Sequence, residues 1–180
     1  MQTNCKKCGL YLYSNNHMIT GRGNTTNPKV IMIGEAPGPD EVKKNTIFIG
    51  RAGKKLDEMI KPYLGTYYLT NMVKCYPPDE TNKSFRTPTE HEIKYCKHLL
   101  IRELQSFNYT PILVPLGNIA LTGLVGNNLG ITKELGKRKH IKIGFREYLV
   151  IPNYHPSYIC RNGEFEEIFK STMEKIYENC

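Results

Sequence analysis

Residues 29–41 read KVIMIGEAPGPDE, an apolar run followed at once by a polar loop sequence. The run KVIMI is apolar after its lysine, which predicts a short buried strand that ends at Gly34. Two glycines and two prolines in the remainder predict a tight loop whose backbone can approach a ligand closely. The loop also carries the carboxylates of Glu35, Asp40 and Glu41. Such a segment is either a solvated acidic turn or a site where a carboxylate orients or activates water.

Further strand-like runs follow at residues 67–69, 111–116 and 148–152. Stretches with apolar residues at helical spacing separate them. Strands that alternate with helices predict an α/β fold, here a three-layer αβα sandwich with a central, mainly parallel four-stranded sheet. A length of 180 residues fits one core, so we expect a single domain over residues 1–180.

The helices are predicted at residues 51–64, from 87 to about 107, around Ala120 and Leu124, and at about 164–178. The sequence TPTE at 87–90 predicts a capping box, with proline at the first helical position. Residues 21–24 are predicted to be a loop. The basic segment 135–140 (LGKRKH) is interpreted as a solvated run of charges, with a phosphate site as the alternative.

Polar motifs follow the predicted strands at the points where the strands end. Gly34 and Glu35 come after the first strand, Thr70 and Asn71 after the second, and His155 after the fourth. Ligands of parallel α/β sheets bind beyond the carboxyl ends of the strands. The sequence therefore predicts that these motifs converge on one crevice.

Three side chains in these motifs suit recognition of a planar base. Asn71 carries a donor and an acceptor side by side, which can read one edge of a pyrimidine and separate uracil from cytosine. Phe48, in the glycine-bounded loop FIGRAG (48–53), can stack on a base. Both have ordinary alternatives, since asparagine often ends a strand or caps a helix and phenylalanine usually belongs to the core. His155, in NYHPSY (153–158), can stabilise negative charge on a leaving group, although a lone His-Pro is weak evidence.

The cysteines are unevenly spaced along the chain: Cys5, Cys8, Cys75, Cys96, Cys160 and Cys180. The first residues lack the apolar segment of a secretory signal, so a disulfide framework is not expected. Cys5-x-x-Cys8 together with Cys75 and Cys96 supplies four thiols, which suit either zinc or an iron–sulfur cluster. The other two are predicted to be unpaired thiols.

The formal net charge of +8 favours a polyanionic partner such as nucleic acid, although a merely soluble basic protein is the alternative. No apolar run reaches the roughly 18 residues that a membrane helix needs. We therefore expect an intracellular, cytoplasmic protein without a membrane partner.

In combination, the motifs resemble those of family 4 uracil-DNA glycosylases, the iron–sulfur branch of the uracil-DNA glycosylase superfamily. The segments that carry the resemblance, in the family's order, are CKKCGLY (5–11), GEAPGPDE (34–41), FIGRAGKKLDEM (48–59), TNMVKCYPP (70–78), Cys96, PILVPLGNIA (111–120) and YHPSYICR (154–161). They run from Cys5 to Arg161 and so span nearly the whole chain.

The resemblance implies a DNA-repair enzyme that flips uracil out of the helix and hydrolyses its N-glycosidic bond. The products would be free uracil and an abasic site. No lysine in the motifs is placed as a Schiff-base nucleophile, so no lyase step is expected. The expected partner is uracil-containing DNA, single- or double-stranded, and the expected state is a monomer.

The resemblance also implies roles for individual residues. The expected catalytic residues are Glu35, Glu41 and His155. The expected substrate-binding residues are Gly34, Ala36, Phe48, Asn71 and Ser157. One of the two acids would position the attacking water, and the histidine would stabilise the uracil anion. The phenylalanine would stack on the flipped uracil, and the asparagine would pair with its edge.

The four thiols of Cys5, Cys8, Cys75 and Cys96 match the positions that hold a structural 4Fe-4S cluster in this family, with zinc as the alternative. The stretch between the last two cysteines looks longer than is usual for the family. Within it, residues 84–88 occupy the region where a related branch carries a basic insertion with a reactive histidine, and that motif is absent here.

Rival interpretations remain open at the level of sequence. One is a glycosylase of the same fold that acts on another damaged or modified base. Another is a non-catalytic DNA-binding or replication-accessory protein, against which the joint presence of Glu35, Asn71 and His155 argues. A third is a plain zinc-binding structural domain.

Overall fold

A mixed α/β fold is built around one six-stranded sheet. The computed structural model describes residues 5–15, 18–81, 84–126 and 129–178. The strands are β1 (Arg22–Gly23), β2 (Val30–Gly34), β3 (Tyr67–Asn71), β4 (Ile112–Pro115), β5 (Lys139–Ile143) and β6 (Arg146–Val150). Their order across the sheet is β1-β3-β2-β4-β6-β5. The four inner strands are parallel to one another, and the two edge strands pair antiparallel to their neighbours.

The prediction of a four-stranded sheet is wrong in the number of strands. The four strands expected from apolar runs are the inner parallel ones, but both edges carry an additional strand. Residues 21–24, predicted as a loop, contain β1, which is too short and polar to produce a periodic signal. The basic segment 135–140 runs into β5, whose sequence KHIKI is partly exposed along most of its length. Lysines on an exposed edge strand discourage pairing with other chains. An edge strand protected in this way has a charged sequence, and it was therefore interpreted as a solvated run of charges.

Strands β2 and β3 are covered on both faces, whereas β6 keeps exposed and half-buried positions. All five residues of β2 and all five of β3 are buried. Strands that are buried on both faces have continuous apolar sequences rather than alternating ones. This is why the run KVIMI could be recognised from the sequence as a strand.

The helices are α1 (Pro39–Lys44), α2 (Arg51–Ile60), α3 (Glu90–Gln105), α4 (Gly117–Val125), α5 (Ile131–Glu134), α6 (Pro156–Ile159) and α7 (Glu166–Tyr177), with 3₁₀ turns at Leu10–Tyr13, Lys61–Tyr63 and Gly163–Phe165. The four regions predicted as helical contain α2, α3, α4 and α7. Apolar clusters join these helices to opposite faces of the sheet. Met32 of β2 clusters with Leu56 of α2 and Phe169 of α7, whereas Ile33 clusters with Leu100 of α3.

The start of α3 differs from the prediction. The capping box is not formed by residues 87–90 but two residues later, by Thr89 and Glu92. The Thr89 hydroxyl accepts a hydrogen bond from the Glu92 amide at 3.2 Å, and the Glu92 carboxylate accepts one from the Thr89 amide at 2.7 Å. Both TPTE and TEHE fit the capping pattern, but Glu92 is additionally held by Arg86 through two hydrogen bonds of 2.7 and 2.8 Å. This contact, which the pattern alone does not reveal, favours the later box.

A buried ion pair joins the segment after β3 to α3. The Lys74 ammonium contacts the Glu103 carboxylate, and both side chains are almost completely buried. Thr70 and Tyr68 each donate a hydrogen bond of 2.8 Å to the same carboxylate. Burial alone would raise the pKa of Glu103, but Lys74 and the two hydrogen bonds outweigh it and hold the pKa below its ordinary value. The pair is thus charged and fully engaged.

Within the part of the chain that the structure describes, no helix combines the length and the apolar character needed to cross a membrane.

Replacing Glu103 by alanine should destabilise the protein strongly, because it leaves the Lys74 ammonium buried without its counter-ion. We expect a loss of about 3–5 kcal/mol in the free energy of unfolding, measured by urea denaturation. Glu167→Ala is the matched control, since Glu167 contacts Lys170 at 3.3 Å on the surface. Exposed pairs contribute about 0–1 kcal/mol. Equal losses in the two variants would contradict a special role for the buried pair.

Candidate active site

The carboxyl ends of the inner parallel strands meet at one cavity of about 500 Å³. Glu35 follows β2, Asn71 is the last residue of β3, and His155 follows β6. All three line the cavity. The structure therefore brings together the motifs that the sequence predicts to converge, at the edge of the sheet where α/β proteins bind ligands.

The other predicted site residues lie at the same place. Those that line the cavity are Glu35, Ala36, Glu41, Phe48, Asn71, His155 and Ser157. Gly34 lies directly against two of these side chains. A Cβ atom on Gly34 would stand 2.4 Å from Asn71 Oδ1 and 2.6 Å from Phe48 Cζ, both far inside contact distance. Only glycine lets the amide and the aromatic ring approach the end of β2 so closely.

Phe48 is held in an unusual backbone conformation, with φ at 55°, in the left-handed region. The Arg22 guanidinium donates hydrogen bonds to the carbonyls of Ile47 at 2.9 Å and Phe48 at 3.1 Å. The same guanidinium donates to both carboxylate oxygens of Asp57 at 2.8 Å. A Cβ atom on Gly53 would stand 2.0 Å from the Phe48 carbonyl, so α2 packs tightly beneath the loop. Such a conformation costs on the order of 1 kcal/mol and persists only when neighbouring contacts enforce it.

His155 is fixed as a neutral imidazole with a defined proton position. Its Nδ1 atom accepts a hydrogen bond from the Ser157 amide at 3.2 Å and lies 2.7 Å from the Ser157 hydroxyl. Because a backbone amide can only donate, Nδ1 carries no proton and Nε2 carries it instead. Removal from water, and secondarily the charge of Arg161, lower the pKa of His155 to about 4. The ring therefore presents an N–H donor without a positive charge at neutral pH.

The Phe48 and His155 rings are neighbours in the cavity lining, with centroids 6.5 Å apart and planes inclined by 34°. A Cβ atom on Gly117 would stand 3.0 Å from His155 Cβ, and Gly117 itself has a φ of 82°. The turn after β4 thus lets the His155 side chain pack closely against it, which favours glycine at this position.

Glu35 is a partly buried acid whose charge is poorly stabilised. Burial raises the pKa of its carboxyl group to about 7. Its Oε1 atom is buried and has no hydrogen-bond partner among the described residues. A carboxyl group that titrates near neutrality and keeps an open acceptor is suited to proton transfer with a bound molecule.

Glu41 differs from Glu35 in that both of its oxygens are engaged. They accept hydrogen bonds from the backbone amides of Gly38 at 2.9 Å and Ile49 at 3.1 Å. Burial raises the pKa of Glu41, although these hydrogen bonds oppose the shift. The carboxylate ties the start of α1 to the loop that carries Phe48, so it supports the wall of the cavity.

Four thiols form a separate apolar cluster beside this cavity. Cys5, Cys8, Cys75 and Cys96 pack together with the apolar side chains of Leu10, Met18, Val73 and Leu99. Among the described cysteines, none is joined in a disulfide. Burial, followed by the proximity of the other thiols, raises the pKa of Cys75 to about 12.

The same thiol cluster suits a polynuclear centre chemically. Burial raises the pKa of Cys96 to about 11, against the influence of the nearby Lys74 charge, and the Lys74 amide donates a hydrogen bond to Cys96 Sγ at 3.2 Å. Backbone amide donors to sulfur are typical of iron–sulfur sites, and a cationic centre would displace the thiol protons. Within the described ranges, no three His, Cys, Asp or Glu side chains are arranged to hold a single metal ion.

Of the two remaining cysteines, Cys160 lies outside this cluster and Cys180 is not among the described residues. Cys160 Sγ lies 4.0 Å from the Arg51 carbonyl oxygen, near the start of α2.

Two residues of the site were missed at the level of sequence. Arg22, which clamps the Phe48 loop, lies in a segment predicted to be a loop, and no spacing rule links it to residues 47 and 48. Phe85 lines the cavity from the long stretch between Cys75 and Cys96. An aromatic residue in an otherwise polar insertion is the signal that could have drawn attention to it.

Comparisons with known proteins show the family to which the chain belongs. A sequence model described as the uracil DNA glycosylase superfamily matches residues 20–177. A type-4 uracil-DNA glycosylase of Sulfurisphaera tokodaii is 35% identical over 182 residues, which cover 97% of this chain and 79% of the relative. The type-4 enzyme of Thermotoga maritima is 35% identical, covering 95% of this chain and 86% of the relative. The one of Archaeoglobus fulgidus is 32% identical, covering 98% and 88%.

The carboxyl group of Glu35 should titrate near pH 7, because burial disfavours its ionised form. Carbon NMR of protein with labelled glutamate side chains would show one resonance with this midpoint, well above the roughly 4.3 of an ordinary glutamate. Glu35→Gln should remove that resonance and leave the others in place. If every glutamate titrated with an ordinary pKa, the conclusion that burial raises the pKa of Glu35 would be wrong.

Proposed function

We propose that this chain, which belongs to the uracil-DNA glycosylase superfamily, removes uracil from DNA by hydrolysing the N-glycosidic bond. The observation that carries the proposal is the convergence of Glu35, Phe48, Asn71 and His155 on one cavity at the strand ends. These residues supply an acceptor for water, a stacking surface, a base-reading amide and a neutral N–H donor. The reaction releases free uracil and leaves an abasic site.

Recognition of the base falls to the floor of the cavity. The glycosidic bond is inaccessible in a duplex, so the nucleotide has to rotate out of the stack and enter the cavity. Phe48 would stack on the flipped ring, and the Asn71 amide would pair with the polar edge that distinguishes uracil from cytosine. Gly34 permits both contacts by leaving space at the end of β2.

Departure of the base is assisted by His155. As the bond between C1′ and N1 breaks, its electron pair passes to the uracil ring and negative charge develops on the O2 oxygen. The Nε2 proton of His155 is free to donate a hydrogen bond to that oxygen, because Nδ1 is occupied by Ser157. A neutral donor held in place before the reaction stabilises the developing anion without any reorganisation.

Water addition is assigned to Glu35. The Glu35 carboxylate lines the cavity and would accept a hydrogen bond from the water that attacks C1′, and it would also stabilise the cationic sugar. The water oxygen forms the new bond to C1′, and its proton passes to Glu35 or to solvent. Glu41 contributes indirectly, by holding the loop of Phe48 in position.

We also propose that Cys5, Cys8, Cys75 and Cys96 hold a 4Fe-4S cluster. Their shared apolar surroundings and their hydrogen bond from the Lys74 amide support four thiolate ligands. The cluster would supply structural cross-linking between the N-terminal segment, the loop after β3 and α3. The chemistry at the base is assigned to the cavity residues alone.

We further propose how the chain binds DNA and in which state it acts. A net charge of +8, with Arg51 and Arg161 lining the cavity, favours a DNA backbone passing over its mouth. We propose that the chain acts as one domain and as an intracellular monomer.

Removing the imidazole or the base-reading amide should abolish most of the activity. We expect His155→Ala and Asn71→Ala each to lower the rate of uracil release by on the order of 100-fold or more. The measurement uses an end-labelled oligonucleotide with one uracil, followed by alkali cleavage of the abasic product on a gel. Thymine and cytosine at the same position should give no cleavage.

His140→Ala is the control for this experiment, because His140 is exposed on the edge strand β5, where it lies 3.3 Å from Glu147 and does not line the cavity in the described chain. It should cleave like the wild type. Wild-type rates in both site variants would overturn the assignment of the cavity. Folded protein that releases other damaged bases but no uracil would instead contradict the proposed substrate.

Loss of one proposed ligand should disrupt the cluster. We expect Cys75→Ala to lose bound iron and the visible absorbance of an iron–sulfur cluster, as measured by metal analysis and spectroscopy. Cys160→Ala, which removes a thiol outside the cluster, should retain both. Zinc in place of iron in the wild type would contradict the proposed centre.

A further inference from the structure

The long stretch between Cys75 and Cys96 forms a paired arm beside the cavity, consisting of residues 77–79 and 84–86. Pro78 and Phe85 form an antiparallel bridge. The Asp79 amide donates to the Ser84 carbonyl at 2.8 Å, and the Arg86 amide donates to the Pro77 carbonyl at 3.1 Å. Residues 82 and 83, which connect the two sides, lie outside the described residues.

The paired arm is anchored at its base. Arg86 makes a two-pronged contact with Glu92 at 2.7 and 2.8 Å, and Glu92 is part of the capping box of α3. Bidentate contacts of this kind fix orientation as well as distance. The residue that precedes Arg86 is therefore held in a defined place relative to the helix and the cavity.

That residue is Phe85, an aromatic side chain that the core does not bury. It is 41% exposed, whereas Phe48 on the same cavity wall is only 5% exposed. The two rings therefore mark different depths, with Phe48 at the floor and Phe85 at the mouth. Among the described residues, Tyr76 is the only aromatic neighbour of Phe85, with ring centroids 6.4 Å apart and planes inclined by 37°. Much of the Phe85 ring therefore stays uncovered.

A half-exposed aromatic ring at the mouth of a nucleic-acid cavity is a stacking surface. Burial of an aromatic ring against a base is favourable whatever the base, because every base has an aromatic face. The cavity of about 500 Å³ is larger than a single pyrimidine ring fills, so it admits part of the strand next to the flipped nucleotide. A base next to the flipped nucleotide would lie at the mouth.

We propose that Phe85 stacks on the base adjacent to the flipped uracil and so positions the substrate strand. This inference rests on the proposed function. It assigns a binding contact rather than a step of the reaction, so its loss should weaken substrate binding and leave bond cleavage intact. Flipping the uracil exposes one face of the neighbouring base in single-stranded and in double-stranded DNA. In single-stranded DNA no opposing strand competes for that face, so this substrate gives the most direct test.

The direct test compares Phe85→Ala with the wild type on a single-stranded oligonucleotide that contains one uracil. We expect KM to rise roughly tenfold, within the range measured for lost base stacking, while kcat stays within about twofold. Phe85→Trp should retain the wild-type KM, because tryptophan also stacks. Phe85→Leu should resemble the alanine variant, and a wild-type KM for it would overturn the proposal by showing that apolar bulk is sufficient.

Phe145→Ala is the matched control. Phe145 is fully exposed on the turn between β5 and β6. The substitution therefore removes an equally large aromatic ring from the surface, but away from the cavity. Its KM should equal that of the wild type. A rise equal to that of Phe85→Ala would show a general surface effect and would overturn the proposal.

A cycle between protein and DNA separates stacking from a structural effect. Two oligonucleotides are needed, in which an abasic residue replaces the base on one side of the uracil or on the other. The rise in KM caused by Phe85→Ala should disappear in one of these two oligonucleotides. An unchanged penalty on both sides would show that the ring contacts no neighbouring base.

The same cycle can be run without catalysis, by fluorescence anisotropy with 2′-fluoro-2′-deoxyuridine, whose glycosidic bond resists cleavage. If the wild type bound this DNA but released no uracil from ordinary substrate, the proposed function would be wrong. The binding measurements would then still decide, without catalysis, whether Phe85 stacks on a neighbouring base. If the wild type released uracil and the coupling were absent, only the role of Phe85 would be wrong.

Discussion

The site depends on one steric constraint, the absence of a side chain at Gly34. The Asn71 amide and the Phe48 ring both occupy the space that a Cβ atom at this position would need. Their approach requires the Phe48 loop to turn back through a left-handed backbone conformation. Arg22, Asp57 and the close packing of α2 then serve to hold that loop. Much of the polar structure around the cavity can thus be understood as support for two side chains that meet at the end of β2.

Burial has opposite consequences for the pKa values of Glu35 and His155, two of the titratable groups that line the cavity. It raises the pKa of Glu35 to about 7 and lowers the pKa of His155 to about 4. In both cases removal from water disfavours the charged form. The histidine is therefore a neutral donor at pH 7, and the acid is balanced between its two forms. Such a cavity can accept a neutral base and respond to the charges that develop only as the glycosidic bond breaks.

The sequence predicts those parts of the fold that depend on local pattern, and fails where distant contacts decide. A strand buried on both faces has a continuous apolar run, which made β2 predictable from the sequence. The edge strand β1 is formed by only two residues and depends on its pairing with β3, for example Arg22 opposite Leu69. Likewise, two overlapping sequences fit the capping box of α3, and only the contact between Arg86 and Glu92 distinguishes them. The convergence of Glu35, Asn71 and His155 followed from the rule for strand ends. The hydrogen bond from the Ser157 amide to His155 Nδ1 could not be predicted from the sequence, because it depends on the orientation of the imidazole ring.

The thiol cluster and the cavity are linked through the short segment that follows β3. Asn71 lies in the cavity, and Cys75, four residues later, lies among the thiols. Between them, the Val73 amide donates to the Glu35 carbonyl at 2.9 Å. The Lys74 amide donates to Cys96 Sγ at 3.2 Å. Any group that fixes the thiols therefore also fixes the backbone that presents the base-reading amide and the acid. A structural centre bound by these thiols would therefore influence the reaction although, in the described chain, no cysteine lines the cavity.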